Sequence, residues 1–180
     1  MAIFKRIPKT SQLFPVYAII VLVIYTWTIL WFFWKLPSWL DYLNVSEIGV
    51  VFLYIIATNF VESLVVLFPL VVLSILLPKK WFYDFFVARG TTLVLLGLGY
   101  MIYLAYQVQG KIDHPVYSYR LKPIVLELAF LMVGGFILSG IRPVRKILEF
   151  FADQATIILY ISIPISIVSS LIALLRLIRI

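Results

Sequence analysis

The residue type and position that most invite chemistry belong to Glu62. It falls near the middle of a long apolar run, with Asn59 one helical turn before it and Ser63 beside it. A carboxylate at the centre of a bilayer costs several kcal/mol unless it is paired or protonated. No Lys or Arg lies in the middle of any other apolar run, so no cation is at hand for it in the sequence. Burial of this kind raises a carboxyl pKa. Two chemistries follow. Glu62 is a proton or cation site, or a polar contact for a substrate group; or it is a polar clamp between helices, including helices of another subunit.

Glu127 is the second intramembrane carboxyl. It is expected about one turn inside a later span, on the side of Arg120 and Lys122. It reads either as an interfacial charge paired with one of those cations or as the outer mouth of a route toward Glu62. The loop that precedes it carries Lys111, His114, Arg120 and Lys122 among tyrosines. Such a loop anchors at head groups, or docks an acidic polymer, a lipid phosphate or a partner protein; its histidine has a side chain that titrates near neutral pH.

Ser162, Ser166 and Ser170 recur every four residues, and Gly135 and Ser139 repeat that spacing in the preceding apolar run. Small residues at this interval let helices approach closely. They are expected to be helix-packing faces.

Several chemistries are excluded or unsupported. With no cysteine in the chain, disulfides, thiol catalysis, Fe–S clusters and cysteine zinc sites are impossible. His114 is the only histidine, so paired-histidine haem ligation is not expected. No phosphate-binding glycine loop, nucleophile elbow, HExxH helix or metal-ligand spacing is present. No cofactor is implied and no metal site is expected.

These residues must be positioned by helices in lipid. Hydrophobic residues make up 64% of the 180 and charged residues 13%, with a mean hydropathy of +1.10. So few polar groups cannot coat a water-facing surface. The expected fold is all-α: a single polytopic transmembrane domain over 1–180, with five transmembrane helices near 14–34, 46–77, 91–107, 123–141 and 156–175. The first apolar run exceeds the ~7–15 residues of a signal h-region and reads as an uncleaved helix. Trp27, Trp31 and Trp34 share one face near its far end, as an aromatic belt would. Leu36–Asn44, with Pro37 and Ser38, reads as a loop, and Ser46 as the N-cap of the second helix. That second run is long for a bilayer, so it is expected to be one helix kinked at Pro69, or else a re-entrant hairpin divided near Asn59–Ser63.

Two interfacial amphipathic segments are also expected. One is Trp81–Arg89. The other begins at Arg142, where Val144, Ile147, Leu148, Phe151 and Ala155 recur at helical spacing and Arg145, Lys146, Glu149 and Asp153 face the other way. Pro123 is expected to open the fourth span.

The N-terminal side of such a bundle carries nine Lys and Arg residues and the other side six. That bias predicts a cell-membrane protein with a cytoplasmic N-terminus and an external C-terminus. The formal net charge of +7 then points to anionic head groups, not nucleic acid. The function expected first is a non-enzymatic subunit or scaffold of a membrane complex, with partner subunits or further copies of the chain. The alternative is a small transporter or ion- or proton-conducting protein using Glu62. A third reading is an enzyme on lipid-linked substrates at the external face, built from Glu127, Arg120 and Lys122.

Overall fold

The computed structural model describes residues 7–108 and 116–178, and every described element is helical. Six helices follow in order: α1 (Thr10–Leu40), α2 (Val45–Leu76), α3 (Phe86–Val108), α4 (Val116–Leu138), α5 (Arg142–Ala155) and α6 (Leu159–Ile178). One 3-10 turn, Tyr83–Phe85, leads into α3, and a second, Thr156–Ile158, joins α5 to α6. Four stretches are long and apolar enough to cross a membrane: Thr10–Leu40, Val45–Leu76, Tyr83–Gln107 and Arg142–Ile178. With the 23-residue α4 as a further candidate, four to five helices have membrane-crossing length and composition. Apolar helices of this length suit hydrocarbon because they satisfy all their backbone polar groups internally.

α1 is the hub. It packs on α2, α3, α5 and the Thr156–Ile158 turn. Val16, Ala18, Ile19 and Ile20 are wholly inaccessible. Gly90 lets α3 close on this stretch: a Cβ at Gly90 would stand 3.2 Å from both methyls of Val16. The α3–α4 seam is tighter still. A Cβ at Gly97 would come within 2.7 Å of Met132 Cε, and one at Gly135 would run into Leu96 and Thr92. α6 lies mainly along α2.

The structure differs from the sequence expectations at four places along these helices. Pro37 does not open a loop, because α1 continues through it to Leu40. A proline near a helix end removes one hydrogen bond without ending the helix, since few turns remain beyond it. Ser46 is not the N-cap. Asn44 is: its side chain accepts from the Glu47 N–H at 2.9 Å, and the Asn44 N–H donates to Glu47 Oε2 at 2.8 Å. Only Asn44 has Glu47 three residues on, which closes this reciprocal box. α2 is one continuous helix through Pro69, which removes the re-entrant hairpin.

The Trp81–Arg89 segment does not lie on the surface as an amphipathic strip. Phe82 and Phe86 are fully buried, and Phe82 stacks on Phe136 with 6.3 Å between ring centroids. The aromatic rings fill space under α1 and α4, and only Trp81 and Asp84 remain exposed. Finally, Pro123 lies inside α4, which starts seven residues earlier at Val116.

Helix α5 carries the apolar and charged periodicity, but its burial is arranged differently. Ala152 is buried, and Val144, Arg145, Leu148 and Glu149 are half-buried on the bundle side. Ile147, Phe150 and Phe151 remain exposed. Arg145 and Glu149, expected on the solvated face, therefore turn toward the bundle, where Arg145 finds an aromatic ring.

Candidate functional site: the Glu62 cleft

On α2, Val51, Ile55, Thr58 and Glu62 follow one another at steps of four and three residues. Helical geometry puts them on one face. With Tyr54 and Asn59 beside them and Thr28 across on α1, they line an open cleft of about 320 Å³. Glu62 stands at the midpoint of α2, roughly 26 Å along the helix from Val45 at 1.5 Å per residue. Its side is exposed, as are Val61, Leu64 and Val65 around it. No cation among the described residues makes an ion pair with it; the ion pair they contain is Arg145–Glu149 at 3.8 Å.

The cleft floor is Asn59, only 1% exposed. Thr28 Oγ1 stands 3.0 Å from Asn59 Oδ1 and also donates to the Ile24 carbonyl, so its single proton serves two acceptors. Asn59 Nδ2 is buried with no partner. Whichever way the amide is turned, one end of it is unmatched, and an unmatched buried amide group costs about 1–3 kcal/mol. The neighbouring Thr58 hydroxyl donates to the Tyr54 carbonyl at 2.9 Å.

Ser63 points elsewhere. It is fully buried against α1, donates to the Phe60 carbonyl and accepts from the Tyr17 hydroxyl at 3.0 Å. Asn59 and Ser63 thus brace the α1–α2 seam while Glu62 faces outward. The three residues grouped in the sequence are split between two sides of one helix.

Because α4 starts at Val116, Glu127 lies at the helix midpoint. Its partner among the described residues is Tyr100, which donates to Glu127 Oε2 at 2.7 Å across the α3–α4 seam. Lys122 is exposed and forms no ion pair among them. Lys111 and His114 lie outside the described residues, as does the side chain of Arg120. Glu127 lies with Tyr100 on the α3–α4 seam, and Glu62 lines the cleft between α1 and α2.

The small-residue positions sit as follows. Ser166 is fully buried, donates to the Ser162 carbonyl and accepts from the Tyr25 hydroxyl at 2.6 Å. Ser162 is buried and Ser170 half-buried, each with a hydroxyl lacking a partner. α2, and to a lesser extent α1, of the same chain lie against α6. Gly135 meets α3, and the buried Ser139 donates to the Phe136 carbonyl at 2.8 Å.

Sequence reasoning passed over the α1 donors. Tyr25 and Thr28 lie eight and eleven residues after Tyr17, which is one helical face; Tyr17 reaches Ser63, Tyr25 reaches Ser166 and Thr28 reaches Asn59. That spacing was the available signal. No group of three or more metal-ligating side chains occurs among the described residues. No protein family, curated protein or solved structure matches this chain, so its chemistry is read from its own residues.

Proposed function

We propose that the chain is a non-enzymatic subunit or scaffold of a membrane complex, and that a partner helix covers the Glu62 cleft. One observation carries this reading: a carboxyl stands exposed at the centre of a 32-residue apolar helix, over a buried asparagine with an unmatched amide end. A charge at that depth costs about 2.5–3.5 kcal/mol on insertion scales. A facing helix that brings a hydroxyl, an amide or a cation would relieve both deficits at once. The partner is a second copy of the chain or another subunit of the complex. The protein then resides in the cell membrane with its N-terminus cytoplasmic, as the Lys and Arg distribution favours. The exposed Ile147, Phe150 and Phe151 of α5 dip into the head-group boundary.

The absence of cysteine allows a clean test. Val61→Cys on the exposed face beside Glu62 should give a defined cross-linked species in native membranes, and adding Glu62→Leu should abolish it. A single mass corresponding to the monomer in lipid nanodiscs, with no cross-link, would overturn the reading.

A second reading rests on the cleft itself, which offers water-sized space next to Glu62, Tyr54 and Thr58. It makes Glu62 the proton or cation site of a small transporter. Proteoliposome flux that vanishes in Glu62→Gln, with assembly intact, would favour it over the scaffold. Flux that persists in that variant would discard it.

A further inference from the structure

At the end of the bundle where α3 begins, two arginines converge on one aromatic cluster. The Arg89 guanidinium carbon lies 4.2 Å from the Phe136 ring centroid and 5.0 Å from that of Phe85. Arg145, from α5, lies 4.9 Å from the same Phe85 ring. Ring faces attract cations, which explains how like charges share this place. They do not neutralise them. Arg89 Nε and Nη1 are buried with no hydrogen-bond partner among the described residues. Arg145 has Glu149 at 3.8 Å, half-exposed, while Arg89 has no carboxylate among the described residues. Arg89 also abuts the α4–α5 turn, where a Cβ at Gly140 would stand 3.8 Å from its Nη2. The helix that starts there, α5, has no side-chain cap at Ile141, so its first N–H groups add positive potential.

Below this cluster the same two helices hold an apolar cavity of about 450 Å³ shared with α2. Its lining includes Leu93, Gly97 and Met101 on α3 and Leu128 and Met132 on α4. These follow Arg89 and Phe136 at four-residue steps, so both stripes descend from the Arg89–Phe136 contact into the cavity. Gly97 and Met101 lie roughly 12 and 18 Å below Arg89 at 1.5 Å per residue. That is the depth of one leaflet, half of the ~30 Å hydrocarbon core.

We propose that this is a binding site for one anionic phospholipid. The phosphate bridges Arg89 and Arg145, and an acyl chain lies in the α2–α3–α4 cavity. Guanidinium groups hold phosphate oxygens through short charge-assisted bonds. The unmatched Arg89 donors and the apolar cavity beneath them are the two halves of one amphiphile's footprint. The site shares no residue with the Glu62 cleft.

The test is lipid retention by the full chain in neutral detergent, read by native mass spectrometry. The probes are phosphatidylglycerol, phosphatidylcholine and inorganic phosphate. The wild type should retain phosphatidylglycerol over phosphatidylcholine. Arg89→Gln and Arg145→Gln should each lower that preference about five- to tenfold. Arg142→Gln, an exposed arginine on the same side, should leave it unchanged. If Arg89→Gln does not fold, the half-buried Arg145 gives the same reading. Leu128→Trp, which narrows the cavity, should reduce retention of the lipid. Equal retention of the two lipids, or a preference that survives both arginine changes, would overturn the proposal. Displacement of the lipid by millimolar inorganic phosphate, or retention unaltered in Leu128→Trp, would overturn it in favour of a free-anion site.

Discussion

Glu62 and Glu127 each stand at the midpoint of an apolar helix, yet their surroundings are opposite. Glu127 receives the Tyr100 hydroxyl from the neighbouring helix at 2.7 Å. Glu62 faces an open cleft lined by Tyr54, Thr58 and Asn59 and forms no ion pair among the described residues. The difference traces to helix spacing. Gly97 and Gly135 bring α3 and α4 so close that a tyrosine on one reaches a carboxylate on the other. On the Glu62 side of α2 the cleft stays open, with Thr28 of α1 across it. An acid in lipid is therefore accommodated by what small residues allow nearby; on the proposed reading, an acid without such a neighbour is unfinished until a partner helix covers it.

That contrast can be broken most strongly at Gly135. Gly135→Leu should drive α3 and α4 apart and lower stability by about 1–3 kcal/mol, the usual result of overfilling a packed seam. Thermal unfolding in detergent, followed by circular dichroism, checks this. The next largest effect is expected from Tyr100→Phe, which strips Glu127 of its donor; hydrogen bonds to charged groups outweigh neutral ones. Its signature is non-additivity: Glu127→Gln should add little to Tyr100→Phe in a double-mutant cycle.

A smaller loss is expected from Thr28→Val. The hydroxyl holds Asn59 at the floor of the Glu62 cleft, and interhelical hydrogen bonds in membranes average about 0.6 kcal/mol. The smallest change in unfolding is expected from Glu62→Gln, since that carboxyl forms no ion pair among the described residues. If Glu62→Gln shifts the melting of the isolated chain as much as Tyr100→Phe does, the distinction between a finished and an unfinished acid fails.

Much of the helical architecture was legible because it is written in the length of apolar runs, and lipid leaves few alternatives to a helix. The two-part α5–α6 arrangement was legible for the same reason: the shift from an amphipathic period to a continuous apolar run falls at Thr156, where the helix changes to a 3-10 turn. Proline positions misled. Pro37 and Pro123 resemble boundaries in isolation, but helices in an apolar setting continue through a single lost bond. Phe82 and Phe86 misled because periodicity says which residues share a face and not which body that face meets. The same limit applies to the serine stripe. A spacing of four is compatible with a partner chain or with the chain's own α1, and only the position of Tyr25 decides.

The arginine–phenylalanine cluster was not legible at all. Arg89, Phe136 and Arg145 belong to three helices, and no local pattern joins residues so far apart in sequence. Its constituent signals, an arginine inside an aromatic strip and a glycine turn before α5, acquire meaning only when folded.

Tyr25 and Ser166 are separated by 141 positions, and the helix bearing the tyrosine is made first. While the chain is being synthesised, that phenol must wait through four further helices for its acceptor. The order of manufacture thus runs against the order of satisfaction. Until α6 arrives, water, lipid carbonyls or an insertion factor must hold the group, and every nascent intermediate leaves the most buried helix of the finished protein partly uncovered.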